Sequence, residues 1–96
     1  MTAILPSASY IQNREALKAH AEKQAVLQAI QERESAALPG AQARIWELLE
    51  TPQTVATLTR VLANEFDARP ADCVGEITAS LTRLYREDLI QVSPDT

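Results

Sequence analysis

Ninety-six residues carry nine Lys/Arg against thirteen Asp/Glu, a net charge of −4, with one cysteine and one histidine. That length holds one small domain and at most an extension, and the surplus of acid argues against a surface built to neutralise phosphate. One Cys and one His exclude an internal disulfide and a His/Cys metal cluster within one chain.

No apolar run approaches the roughly 20 residues that cross a bilayer, and the opening MTAILPSASY lacks the basic flank and long apolar stretch of a signal peptide. The expected setting is the cytoplasm, with no membrane contact. Charge is uneven along the chain. The bases and acids of residues 1–38 balance, whereas from Pro39 onward five arginines face nine acids. A core this thin leaves the fold only about 5–15 kcal/mol below the unfolded state, so a partner or self-association is expected.

In chain order, residues 1–9 read as an irregular arm containing Pro6. From Tyr10 to Leu38 there is no Gly or Pro, and Ala, Glu, Gln, Lys and Leu dominate. This predicts one long helix with Asn13 as a cap. Its apolar stripe (Ala16, Ala19, Lys23, Val26, Leu27, Ile30, Ala37) is alanine-rich and interrupted by Lys23. The helix is expected either to lie across the C-terminal core or to pair with another helix in a homodimer.

Leu38-Pro39-Gly40 marks the main boundary, and residues 39–96 read as a second unit. Its first helix, AQARIWELLE, places Ile45, Leu48 and Leu49 on one side, with Trp46 as a packing anchor. Thr54 caps the next helix, where Val55, Leu58, Val61, Leu62 and Phe66 repeat at helical spacing. The acid of a capping box is missing, because Thr57 holds that position. Pro70 opens a third helix with Asp72 in its first turn; Val74, Ile77, Leu81, Leu84 and Tyr85 are its predicted buried stripe. The helix stops near Glu87 and Asp88, and LIQV reads as a strand. The fold class is therefore mainly α: a truncated winged-helix-like three-helix unit with a short C-terminal strand, preceded by one long helix.

A helix-turn-helix topology raises DNA binding, but Asp72 and Glu76 stand where a recognition helix would meet bases, and Arg83 and Arg86 come late in that helix. Nucleic acid is therefore not the expected partner. No carboxylate pair has an acid/base setting, so no catalytic residue is named and no enzyme activity is expected. Cys73 lacks a neighbouring His or second Cys and reads as a small packed residue.

Residues 44–92 resemble the PqqD-like family. The shared features are Ile45-Trp46-Glu47-Leu48-Leu49, the Thr54-Val55-Ala56 opening with Leu58, Glu65-Phe66 followed by Pro70, and Leu89-Ile90 after the third helix. The resemblance implies a non-catalytic chaperone with no cofactor. Such a protein holds the leader of a ribosomal precursor peptide as an added strand and presents it to a modifying enzyme, often a radical S-adenosylmethionine protein. It implies a cleft beside the third helix, along which Cys73, Ile77, Ser80 and Leu84 form a row; the same residues, Ile77 and Leu84 above all, also fit a plain core stripe. The family usually builds its sheet from strands before the Ile45-Trp46 helix, where this chain has helix formers, so the docking edge is expected to be absent or differently made. Arg69 replaces an Asp common in the family, and Asp88 a Gly. Two alternatives stand beside this reading: a winged-helix DNA-binding regulator, and an accessory enzyme subunit using the N-terminal helix as its interface.

Overall fold

The computed structural model describes residues 4–33 and 38–93. Expectations for residues 1–3 of the arm, 34–37 of the long helix and 94–96 of the tail lie outside the described residues. Between them runs the order β1 (Tyr10–Gln12), α1 (Arg14–Ala19), α2 (Glu22–Gln31), α3 (Ala41–Leu48), α4 (Val55–Glu65), α5 (Pro70–Arg86) and β2 (Ile90–Val92). The fold is mainly helical, with one antiparallel two-stranded sheet joining the two ends of the described chain.

The single helix expected over residues 10–38 is corrected to a strand and two helices. A straight helix of that span would be about 44 Å long at 1.5 Å per residue, beyond the 37 Å longest dimension of the molecule. Its few large apolar side chains reach the core only if the segment folds back. Tyr10 and Ile11, β-prone side chains, go into the sheet. Asn13 ends the strand and caps α1, its Oδ1 accepting from the Ala16 N–H at 3.3 Å. An extended His20 (φ −131°, ψ 98°) then separates α1 from α2. From α2, Leu27 and Ile30 enter the same core as Ile45, Leu58, Ile77 and Leu84. Burying each such side chain contributes about 1.5–3 kcal/mol. Helix α2 thus lies across the C-terminal core, with Leu27 and Ile30 buried there.

The remaining helices fall where the sequence predicts. Trp46 is half-buried against the core. Arg44 binds Glu65 through two hydrogen bonds of 2.8 and 2.7 Å, which hold the Glu65 carboxyl below its ordinary value. This pair of partly solvated side chains ties α3 to α4 but contributes little to stability. The α4 start corrects one detail. Thr57 completes the capping box in place of an acid: the Thr57 N–H donates to Thr54 Oγ1 at 3.1 Å, and the Thr54 N–H donates to Thr57 Oγ1 at 2.9 Å. A hydroxyl accepts a backbone N–H as a carboxylate does, so the reciprocal geometry needs only an oxygen at that reach.

On α5 the buried stripe is rotated from the expected one. Cys73, Ile77, Ser80, Leu81 and Leu84 are buried, whereas Val74 is 41% and Tyr85 36% exposed. The cause is polar. Ser80 Oγ donates to Gln42 Oε1 at 2.7 Å, and Gln42 Nε2 donates to Glu76 Oε1 at 2.7 Å. A buried amide and hydroxyl must be paired, and only one rotation of α5 about its axis brings Ser80 and Glu76 together onto Gln42.

Replacing Thr57 with Val keeps the side-chain shape and removes the hydroxyl of the box. Urea unfolding should show a loss of about 1 kcal/mol, and an unchanged midpoint would contradict the reciprocal cap.

Candidate functional site

The row Cys73, Ile77, Ser80 and Leu84 does not line an open cleft. The four residues are 0–1% exposed and enclosed by α2, α3 and α4. The expectation of a binding row is corrected on that point: the chain's own side chains cover it, because the Gln42 network turns this face of α5 inward.

What the structure does leave open is a strand edge. In β1 the main-chain groups of Tyr10 and Gln12 turn away from β2 and toward the α3–α4 loop. The Tyr10 N–H donates to the Gln53 carbonyl at 2.8 Å, the Gln53 N–H to the Tyr10 carbonyl at 3.0 Å, and the Gln12 N–H to the Leu49 carbonyl at 2.9 Å. On the other side, Tyr10 pairs in register with Val92, Ile11 with Gln91 and Gln12 with Ile90. The flanking bonds Ser93 N–H to Ser9 carbonyl and Asn13 N–H to Leu89 carbonyl, both 2.8 Å, set the phase of the ladder. Antiparallel pairs alternate between bonded and unbonded. Ile11 and Gln91 are therefore the bonded pair between these two, and the N–H and C=O groups of Ile90 and Val92 point away from β1; Val92 is 42% exposed, whereas Ile90 is 1% exposed and covered by the chain itself, so the edge is open at Val92. No hydrogen bond from a described residue reaches those outward groups.

The edge is held in place from both ends. Asp88, in the left-handed region at φ 61°, turns the chain from α5 into β2. An L-residue other than Gly adopts that conformation at a cost, and here Asn13 offsets it: its Nδ2 donates to the Asp88 carbonyl at 3.1 Å and to Asp88 Oδ1 at 3.3 Å. Beside the edge lie two of the exposed large hydrophobics, Val92 (42%) and Tyr85. They share a side of the sheet, because Val92 is opposite Tyr10 and the Tyr10 ring meets the Tyr85 ring edge-on at 6.0 Å. At the far end of α5, Val74 borders an apolar groove of about 670 Å³ with Val55, Ala63 and Pro70, into which Pro6 of the arm reaches.

The acids at the start of α5 are engaged within the chain, Asp72 with Arg69 at 3.2 Å and Glu76 with Gln42. Sequence spacing offered no signal for the open edge, because it depends on which way a three-residue strand is paired. Arg33 was likewise not foreseen. The structure places it with Arg83 and Arg86 around one cavity between α2 and α5. Among the described residues there is no group of three or more His, Cys, Asp or Glu able to hold a metal, and no helix long and apolar enough to cross a membrane.

Burial, and then the Asp72 carboxylate, push the Cys73 thiol above its ordinary value, so near neutral pH it is protonated as well as enclosed. A thiol reagent at pH 8 should therefore modify the native chain at least about tenfold more slowly than the urea-unfolded chain. Equal rates would place Cys73 at the surface.

Neither the curated proteins nor the solved structures yield a match to this chain. The family model described as "Coenzyme PQQ synthesis protein D (PqqD)" matches residues 24–90, well over half of the chain. It runs from the third residue of α2 through α5 to the first residue of β2, so most of α2 falls inside the matched region along with the three-helix unit. With that span matched, the chain belongs to the PqqD family, whose description is that of a protein of coenzyme PQQ synthesis.

Proposed function

We propose that the chain is a peptide-binding adaptor with no catalytic role of its own. It takes a stretch of a ribosomal precursor peptide as a third strand on the outer edge of β2 and presents it to a modifying enzyme, the radical S-adenosylmethionine proteins being the class that the family resemblance suggests. The observation that carries this reading is the main chain of Val92, which faces away from β1 at the exposed end of β2, with the exposed side chains of Val92 and Tyr85 beside it. A strand edge of this kind accepts an extended chain through its main-chain groups, while side-chain contacts set selectivity.

The magnitudes show what each part contributes. One N–H and one C=O group, those of Val92, at about 0.5–1.5 kcal/mol net each, supply about 1–3 kcal/mol before the cost of ordering the peptide, short of millimolar binding. Apolar contact with Val92 and Tyr85 must bring the affinity to the micromolar range. The edge therefore favours a peptide with an apolar or aromatic residue opposite Val92.

The test uses peptides selected from a random displayed library against the whole chain, with affinities measured by calorimetry. Val92→Pro removes one outward N–H and leaves the β1–β2 ladder intact, since the Val92 N–H takes no part in it. Affinity should fall at least about tenfold, or 1.4 kcal/mol, with the melting temperature within a few degrees of the parent. Equal binding by the variant would remove the edge as the docking site. Failure to select any peptide, together with duplex DNA binding at low salt, would favour the regulator reading instead.

A further inference from the structure

The chain is acidic overall, yet three of its arginines converge on one cavity with Glu87 as the one acid on its rim. Arg33, just past the end of α2, and Arg83 and Arg86, in the last turns of α5, line a cavity of about 390 Å³. Val26, Ala29 and Ile30 of α2 form its apolar wall. Of the other arginines, Arg14 pairs with Glu50, Arg44 with Glu65 and Arg69 with Asp72, while Arg60 stands apart from this cluster and has no ion pair with a described residue. No ion pair or side-chain hydrogen bond joins Arg33, Arg83 or Arg86 to a described residue.

The sharpest observation is Arg83 Nη1, a side-chain nitrogen removed from solvent that makes no hydrogen bond. Cations in the last turn of a helix are ordinarily explained by the helix dipole. That accounts for Arg83 and Arg86 being basic, but not for a buried N–H without an acceptor. Such a group is costly unless something supplies the acceptor, and because Nη1 has no solvent access in the free chain, a bound anion supplies it only when the Arg83 side chain turns into the cavity. Nearby, Lys23 Nζ donates to the Glu87 carbonyl at 2.7 Å and holds α2 to the end of α5.

We infer that this cavity is a carboxylate-binding subsite that receives an acidic side chain of the peptide docked on β2. The inference rests on the adaptor reading for its occupant. The cavity lies at the C-terminal end of α5, which the turn Glu87–Leu89 joins directly to β2. A planar guanidinium pairs with a carboxylate through two parallel hydrogen bonds. The wall of Val26, Ala29 and Ile30 suits the aliphatic stem that carries it. Glu87, also on the rim, lowers the net positive charge of the cavity without cancelling it.

The experiment needs no cognate peptide, so its outcome is independent of docking on β2. The whole chain, labelled with ¹⁵N, is titrated at low salt with N-acetyl-glutamate amide, with its glutamine isostere and with inorganic phosphate. The acid should shift the Arg83 and Arg86 guanidinium resonances with millimolar affinity, at least about tenfold tighter than the glutamine compound. Arg83→Met should abolish that preference, and Arg33→Gln, on the rim and remote from the core, should weaken it. Equal response to acid and amide, tighter binding of phosphate, or an acid preference that survives both substitutions would each overturn the subsite. Loss of the subsite with Val92→Pro still impairing peptide binding would leave the adaptor reading standing.

Discussion

The structure depends on β1 being bonded on both sides. Three residues near the start of the described chain take hydrogen bonds from the α3–α4 loop on one side and from β2 on the other. The carbonyl of Leu89, at the exit of α5, accepts from Asn13 at the entry to α1. Because both edges of β1 are filled, β2 becomes the outer strand, and its alternate residues must face outward. A sheet of two short strands would be marginal alone. Here the Tyr10 side chain, 1% exposed, anchors it to the core from within the strand.

The second determinant is polar. The chain from Ser80 through Gln42 to Glu76 goes with one rotation of α5, whereas the apolar stripe Val74, Ile77, Leu81, Leu84 and Tyr85 describes another a fraction of a turn away. The network decides between those rotations, because a buried hydroxyl or amide left unpaired costs about 1–3 kcal/mol, comparable with the difference between burying Val74 and burying Cys73. Its consequence reaches the surface: Tyr85 is set beside the strand edge, and Arg83 is turned toward α2. A few buried polar atoms thus position both the apolar and the cationic features that the functional reading uses.

This also explains what could be read from residues alone. The three C-terminal helices and β2 were legible because their signals are local: Thr54 and Pro70 at helix starts, apolar repeats at 3.6 spacing, and a β-prone run after Asp88. The N-terminal segment was not. Its composition favours helix throughout, and only the demand that Tyr10, Leu27 and Ile30 share one core with residues far along the chain breaks it into strand and helices. The row Cys73, Ile77, Ser80 and Leu84 was correctly identified as a single face of a helix, but whether that face points to solvent or core depends on Gln42, 38 positions from Ser80. The strand edge and the arginine cluster were hidden for the same reason, since strand pairing and the approach of Arg33 to Arg83 are tertiary facts.

The central claim is that the main-chain groups of Val92 face outward while those of Gln91 and Ser93 face β1. Residue-resolved amide hydrogen exchange of the free chain reads this directly. The account predicts strong protection at Ile11, Gln91 and Ser93, with Val92 exchanging near the rate of unstructured peptide. Protection of Val92 equal to that of Gln91 would show the edge already satisfied within the chain, and would contradict the account.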